Sequence, residues 1–368
     1  MTASPHNEKT RSYLVRSLED LDGLKDAWRT LSASARFPMQ DFSWARAWSA
    51  SFLAGHELHV VVVTDNSGPI AIAPLVKPLQ GPVRLELLGA SELSEPMDFV
   101  YASETALEAL AEALSRSSLP LDLRRISADS PTVGALERAF RGRAALVRRP
   151  GNPYPRILLD AGWTNPKQRL SSSRRSLLRR MRRRAEQMGE LSWEVATPSR
   201  SDLAPLLEEA FRVEAASWKG RGGTALAQSP VRRGFFETYA ASACEEGIFR
   251  MCFLRIGGRT AAMQYAVEHK GGFWLFRMGY DEEFASCSPG SILIEETIRY
   301  AASRGVASYE FLGSVEEWTR MWTDDRCECV SLRSYPMGFN GAVALGSDAA
   351  RFAAVRIGRI VRRKAARR

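Results

Sequence analysis

Ser286, Ser288, Pro289, Gly290 and Ser291 crowd the turn of the stretch YDEEFASCSPGSILIEETIRYAASRG, from Tyr280 to Gly305. Such a turn between an apolar strand and an apolar helix makes an anion site. The first four amides of a helix lack intrahelical partners, and the helix dipole favours negative charge there. Pro289 suits the first helical turn, and Gly290 admits a close backbone approach. Ser288 or Ser291 can cap the helix or donate to a phosphate. A pyrophosphate fits without any lysine. A plain capped helix uses the same four letters, so the surrounding sequence has to decide.

Three carboxylates could move a proton. Glu214 stands on a helix of mixed polarity, where partial burial would raise its carboxyl towards neutrality and make it a general base. Its competing use is a surface pair with Arg212 or Lys219. Asp281 and Glu310, at strand ends, are the alternatives. Trp218, Lys219 and Arg221 sit among Gly220, Gly222 and Gly223, and an aromatic beside cations suits a sugar or carboxylate-bearing acceptor; Tyr280 closes the strand that follows. His269, beside Lys270 and two glycines, reads as a surface turn histidine. Five cysteines without a CxxC pair and four scattered histidines give no zinc spacing, so no metal is expected.

These residues need elements to hold them. Around Glu57–Pro78 two β-branched runs flank a Gly-containing turn, which predicts a hairpin. A strand at Val83–Ala90, a helix at Glu104–Ser117 and a strand at Leu121–Ser127 follow. The second half repeats the order: strands at Phe249–Ile256, Thr260–His269 and Phe273–Asp281, a helix from about Pro289 to Arg304, and a strand at Ala307–Ser314. Two copies of one plan predict an α/β (α+β) fold of tandem lobes, each a mixed sheet flanked by helices. The expected division is 1–160, 161–345 and a basic tail, 346–368.

Four ordered phrases carry a family resemblance: EAASWKGRGGTAL, LRIGGRTAAMQYAV, MGYDEEFASCSPGSILIEETI and YEFLGSVEEWTRMW, with FPMQDFSWARAWSASF and IAIAPLVK before them. Together they resemble the GNAT-fold acyltransferases of the CelD/BcsL type, from cellulose and exopolysaccharide biosynthesis. The similarity extends over roughly residues 36–338, and the Fem aminoacyltransferases have similar tandem lobes. The resemblance implies acyl transfer from acyl-CoA, acetyl-CoA first, to an amine or hydroxyl of a small-molecule or glycan-precursor acceptor. It sets the pyrophosphate at Ser286–Ser291 and the pantetheine arm between Phe273–Asp281 and Ala307–Ser314. The first lobe has YASETALEAL where the second has SPGS, and is not expected to bind CoA. Where relatives show Tyr-Lys, this chain has Trp318-Thr319-Arg320, and a tryptophan cannot supply a hydroxyl proton. A Fem-like transfer from aminoacyl-tRNA and a non-catalytic nucleotide-binding module are the rival readings.

Charge narrows the partners. The chain of 368 residues is 45% hydrophobic and 25% charged, with a formal net charge of +9. Nine Lys or Arg and no acid lie between Lys167 and Arg184, and eight with no acid between Arg351 and Arg368. The first run predicts one amphipathic helix, Ser171–Met188, with Leu170, Leu177, Leu178, Met181, Ala185 and Met188 on its apolar side. Its arginines are expected to line the approach of an anionic ligand rather than to bind nucleic acid, because no aromatics are interleaved to stack on bases. The tail could be drawn to an acidic membrane or protein. A polar N-terminus and the absence of any long apolar run predict a cytoplasmic protein, with the inner membrane face as a possible station.

Overall fold

The computed structural model describes residues 10–217, 228–350 and 353. The β-branched run Val60–Asp65 returns along Gly68–Ala73, turning where Asp65 accepts the Ser67 amide at 2.7 Å and Gly68 takes φ +120°. Arg11–Val15 and Val100–Tyr101 flank this hairpin in a four-stranded antiparallel sheet. A six-stranded sheet carries the rest of the first lobe. In it Leu85–Leu87 runs parallel to Leu121–Ser127, joined through the helix Glu104–Ser115. The first lobe therefore splits its strands between two sheets, whereas the second has one sheet of seven.

In that seven-stranded sheet Phe249–Ile256, Arg259–His269 and Gly272–Tyr280 form an antiparallel meander. Gly272–Tyr280 then pairs in parallel with Ser308–Glu310, and the helix Pro289–Ser303 makes the crossover. The repeated plan expected from sequence is present in both halves. Its last strand is shorter than the ASYEFLGS run suggested, because the chain turns out of the sheet at Leu312 and Gly313, both at φ +54°.

The lobes also exchange strands. Tyr154–Leu158 enters the seven-stranded sheet between Ser308–Glu310 and Arg326–Cys327, while Cys329–Pro336 enters the six-stranded sheet between Leu121–Ser127 and Ala144–Pro150. A division of the chain at 160 and 345 thus leaves one strand of each lobe on the far side. Aromatic packing seals the contact: Trp44 of the first lobe stacks on Phe276 at 5.3 Å and meets Phe235 and Tyr239 edge-on at 4.9 and 5.0 Å. A lobe interface built this way is rigid enough to hold groups from both lobes in register.

Candidate functional site

A β-bulge sets up the site. Pairing between Arg259–His269 and Gly272–Tyr280 shifts register between Tyr265 and Ala266, so that Phe276 is extra on its strand. On its other edge the strand pairs with Ser308–Glu310 only through Gly272, Phe273 and Trp274. Past that point the two strands part. The gap is a cavity of about 470 Å³ whose walls include Met278, Gly279 and Tyr280 on one side and Phe311 to Ser314 on the other.

The cavity opens onto the first turn of Pro289–Ser303, where Ser288, Gly290 and Ser291 line it. Ser288 adopts φ +52°, which a non-glycine residue holds only at a cost, and no side chain caps the helix. The first-turn amides are thus left without a side-chain acceptor, beside a cavity. A Cβ at Gly290 would lie 3.2 Å from Met278 Cε, the free end of a flexible side chain on the cavity wall. Ser286 and Pro289 do not line the cavity. The Ser286 carbonyl instead accepts from Arg184 at 3.1 Å, and Pro289 is buried in the first turn. Tyr280 is the one phenol on the wall among the described residues. Trp318 is also there, its indole N–H held by Glu316 at 2.8 Å.

The three candidate bases separate. Glu214 is fully buried, and one of its oxygens accepts from Arg277 Nε at 3.0 Å and from a terminal guanidinium nitrogen at 2.6 Å. Among the described residues its partner is Arg277 rather than Arg212, and Lys219 lies outside them. The helix Leu203–Ala215 crosses the sheet at Gly279, where a Cβ would come within 2.9 Å of Glu214 Cα. Asp281 points elsewhere: it accepts the Glu283 amide at 3.0 Å and lies 3.8 Å from Arg259, capping the turn Glu282–Cys287. Glu310 does not reach the cavity either. It is buried at the lobe interface near Arg36 and Arg156, accepts from Ser308 at 2.8 Å, and burial raises its pKa. Trp218, Lys219 and Arg221 lie outside the described residues.

His269 is not a surface histidine. Its neighbour Lys270 bonds the carbonyls of Ser32 and Ala35 across the lobes, which draws His269 into the interface, 3.3 Å from Asp41. Burial lowers its pKa to about 4.

A fourth carboxylate, Glu95 of the first lobe, was not singled out by sequence. One of its oxygens is sealed from solvent and has no hydrogen-bond partner. Burial pushes its pKa up to about 7, against the pull of Arg125 and Arg277. Arg125 fixes the loop that carries it. That guanidinium donates to the carbonyl of Ser94, to Asn152 O at 3.2 Å and to Gly313 O at 2.8 Å, so it ties the Glu95 loop to the cavity wall. Asn152 Nδ2 adds a bond to Ser314 Oγ at 2.8 Å. Nothing in SELSEPMD announces this. The loop reads as a turn before Pro96, and its partners come from distant parts of the chain.

The basic helix forms as expected, from Ser172 to Met188, with Ser171 Oγ accepting the Arg174 amide and Gly189 at its end. Leu170, Leu178 and Ala185 are buried, but Met188 is 44% exposed. Arg182 holds Glu295 at 3.0 Å and also pairs with Glu296. Arg179, Arg180 and Arg183 are exposed, with no ion pair or side-chain hydrogen bond among the described residues. Among those residues no cluster of His, Cys, Asp or Glu could hold a metal ion, and no helix is long and apolar enough to cross a membrane.

Comparison with known proteins agrees with this geometry. Residues 172–320, which contain the cavity and its helix, match the acetyltransferase (GNAT) domain family. Among curated proteins, no sequence matches the chain. A conserved protein of unknown function from Bacteroides thetaiotaomicron superposes with a TM-score of 0.56 at 10% identity, covering 88% of this chain and 99% of that one. FemX superposes with a TM-score of 0.56 at 11% identity, covering 89% and 97%. The fold is one of tandem GNAT-like lobes, and the second lobe carries the acetyltransferase domain.

Proposed function

We propose that this protein is an acyl-CoA-dependent N- or O-acyltransferase of the CelD/BcsL kind, with acetyl-CoA as donor and a sugar or other envelope or exopolysaccharide precursor as acceptor. One observation carries the reading: the gap between two parted parallel strands ends on an uncapped helix start. The amide of Gly290 and the hydroxyls of Ser288 and Ser291 would take a pyrophosphate, while the Ser291 amide donates to the Ser288 carbonyl at 3.0 Å. The strand at Gly279 and Tyr280, beyond its three pairs with Ser308–Glu310, would take the amides of a pantetheine arm. We assign Tyr280, the phenol on the cavity wall, to protonate the leaving thiolate. Glu95 does not line the cavity, but Arg125 ties its loop to the wall at Gly313; we assign it to receive the proton of the attacking amine or hydroxyl, because a base works best with a pKa near the working pH. Trp218, Lys219 and Arg221 remain our assignment for the acceptor side.

Calorimetric titration with acetyl-CoA and CoA tests this, beside Gly290→Glu, which sets a carboxylate on the phosphate path. Saturable binding that weakens roughly hundredfold in the variant supports the reading. No binding by the wild type sinks it. The similarity to FemX and the unpaired Arg179, Arg180 and Arg183 keep a Fem-like, tRNA-dependent transfer as the second reading. Tight, steeply salt-dependent binding of aminoacyl-tRNA without any binding of CoA would favour it. A non-catalytic module is removed by any acetyl-CoA turnover above the uncatalysed rate.

A further inference from the structure

Helix 339–350, which follows strand Cys329–Pro336, is inverted relative to an ordinary surface helix. Its buried positions are Gly341, Ala344 and Asp348. The polar member of that face is the anchor: Asp348 pairs with Arg84 at 3.2 Å and Arg333 at 3.1 Å and accepts the Tyr335 hydroxyl at 2.8 Å. The opposite side is apolar. Phe339 is 83% exposed and Met337, just before the helix, 79%; Val343 and Leu345 are about half exposed, and the residues between them are alanine, glycine and the half-buried Asn340. No charged side chain is exposed anywhere in 337–350.

At 3.6 residues per turn Phe339, Val343, Gly346 and Ala350 share one stripe, so the exposed apolar groups are contiguous. Contiguous apolar surface on a folded chain marks a contact site. The sequence that follows supplies the sign of the partner. Residues 351–368 hold eight Lys or Arg and no acid. A second copy of the chain offers these cations no complement from the same segment, which holds eight Lys or Arg and no acid. An anionic bilayer satisfies both halves: it takes the apolar side chains at its interface and attracts the cations beside them.

We propose that helix 339–350 and the basic residues after it dock the protein on an anionic membrane surface, lying on the bilayer rather than crossing it. This inference does not depend on the transferase reading.

Co-sedimentation of the full chain with phosphatidylcholine vesicles, with and without phosphatidylglycerol, tests it. Binding should require phosphatidylglycerol and weaken at least about tenfold in high salt. Phe339→Ser with Val343→Ser should weaken it roughly tenfold, while thermal unfolding stays unchanged because both side chains face out. Arg362→Glu with Arg363→Glu should weaken it at least as much. Equal binding to both vesicle types would overturn the proposal. So would phosphatidylglycerol binding indifferent to the Phe339 and Val343 changes, or a dimer lost in those variants without any vesicle binding.

Discussion

The two lobes use one strand–helix–strand unit to opposite ends. In the first, the helix Glu104–Ser115 starts at Ser103, whose extended backbone lets its hydroxyl accept the Ala106 amide at 3.2 Å, and Glu104 adds a negative charge to the first turn. In the second, Pro289–Ser303 starts at a left-handed Ser288 that caps nothing, with no acid in its first turn. One helix end is already satisfied and repels anions. The other is open.

The flanking strands differ in what their polar groups do rather than in how long they pair. Leu85–Leu87 and Leu121–Ser127 pair at two positions, and the buried carboxylate of Asp122 is consumed by Arg84, Arg124 and Arg333. Gly272–Tyr280 and Ser308–Glu310 part after three pairs. Topology is therefore shared, and what distinguishes the candidate site is a missing cap, a bulge and two left-handed residues. Function in this pair of lobes follows local departures from regular structure.

The largest expected effect probes how the second lobe holds its opening. Arg277→Met should cost about 3–5 kcal/mol in urea unfolding, because the fully buried Glu214 would lose the two hydrogen bonds that this guanidinium donates. A cost below about 1 kcal/mol would mean that the pair does not support the parted strand. Next comes the mirror of the calorimetric test. Thr105→Glu, an exposed change in the first turn of the first-lobe helix, should leave acetyl-CoA affinity unchanged where Gly290→Glu weakens it roughly hundredfold. Equal losses would erase the difference between the lobes.

Glu95→Gln should lower turnover roughly hundredfold and remove an ascending limb of kcat/KM near pH 7. The same change should stabilise the fold. With a pKa of about 7 folded against an ordinary 4.5, Glu95 keeps its proton in the native state between those values after the unfolded chain has lost it. Stability therefore falls as pH rises through that window, and the penalty is complete above 7. Glutamine escapes it, so the variant should be more stable by about 2 kcal/mol at pH 8, after discounting for partial exposure, and equal to wild type at pH 4. A variant no more stable at pH 8 would remove Glu95 from the proton-transfer role. The smallest effects compare the two serines. Ser103→Ala should cost about 1 kcal/mol, whereas Ser288→Gly should gain a few tenths by relieving a positive φ, both read from thermal unfolding.

Periodicity and turn chemistry determined a good deal by themselves. The hairpin of Val60–Ala73, the meander of the second lobe, the capped basic helix and the SPGS helix start follow from patterns within about twenty residues, where side-chain spacing dictates backbone geometry. The sequence also set YASETALEAL in the first lobe against SPGS in the second. Only the tertiary structure decided the rest. Asp281 became a cap, Glu310 went to the lobe interface and Glu214 to a buried pair, while Glu95 arrived from the other lobe. Strand exchange between the lobes and the exposed apolar face of helix 339–350 were equally beyond local reading. The physical reason is common to all of them. Burial, pKa and pairing depend on which distant segments share a volume, and no local pattern contains those distances.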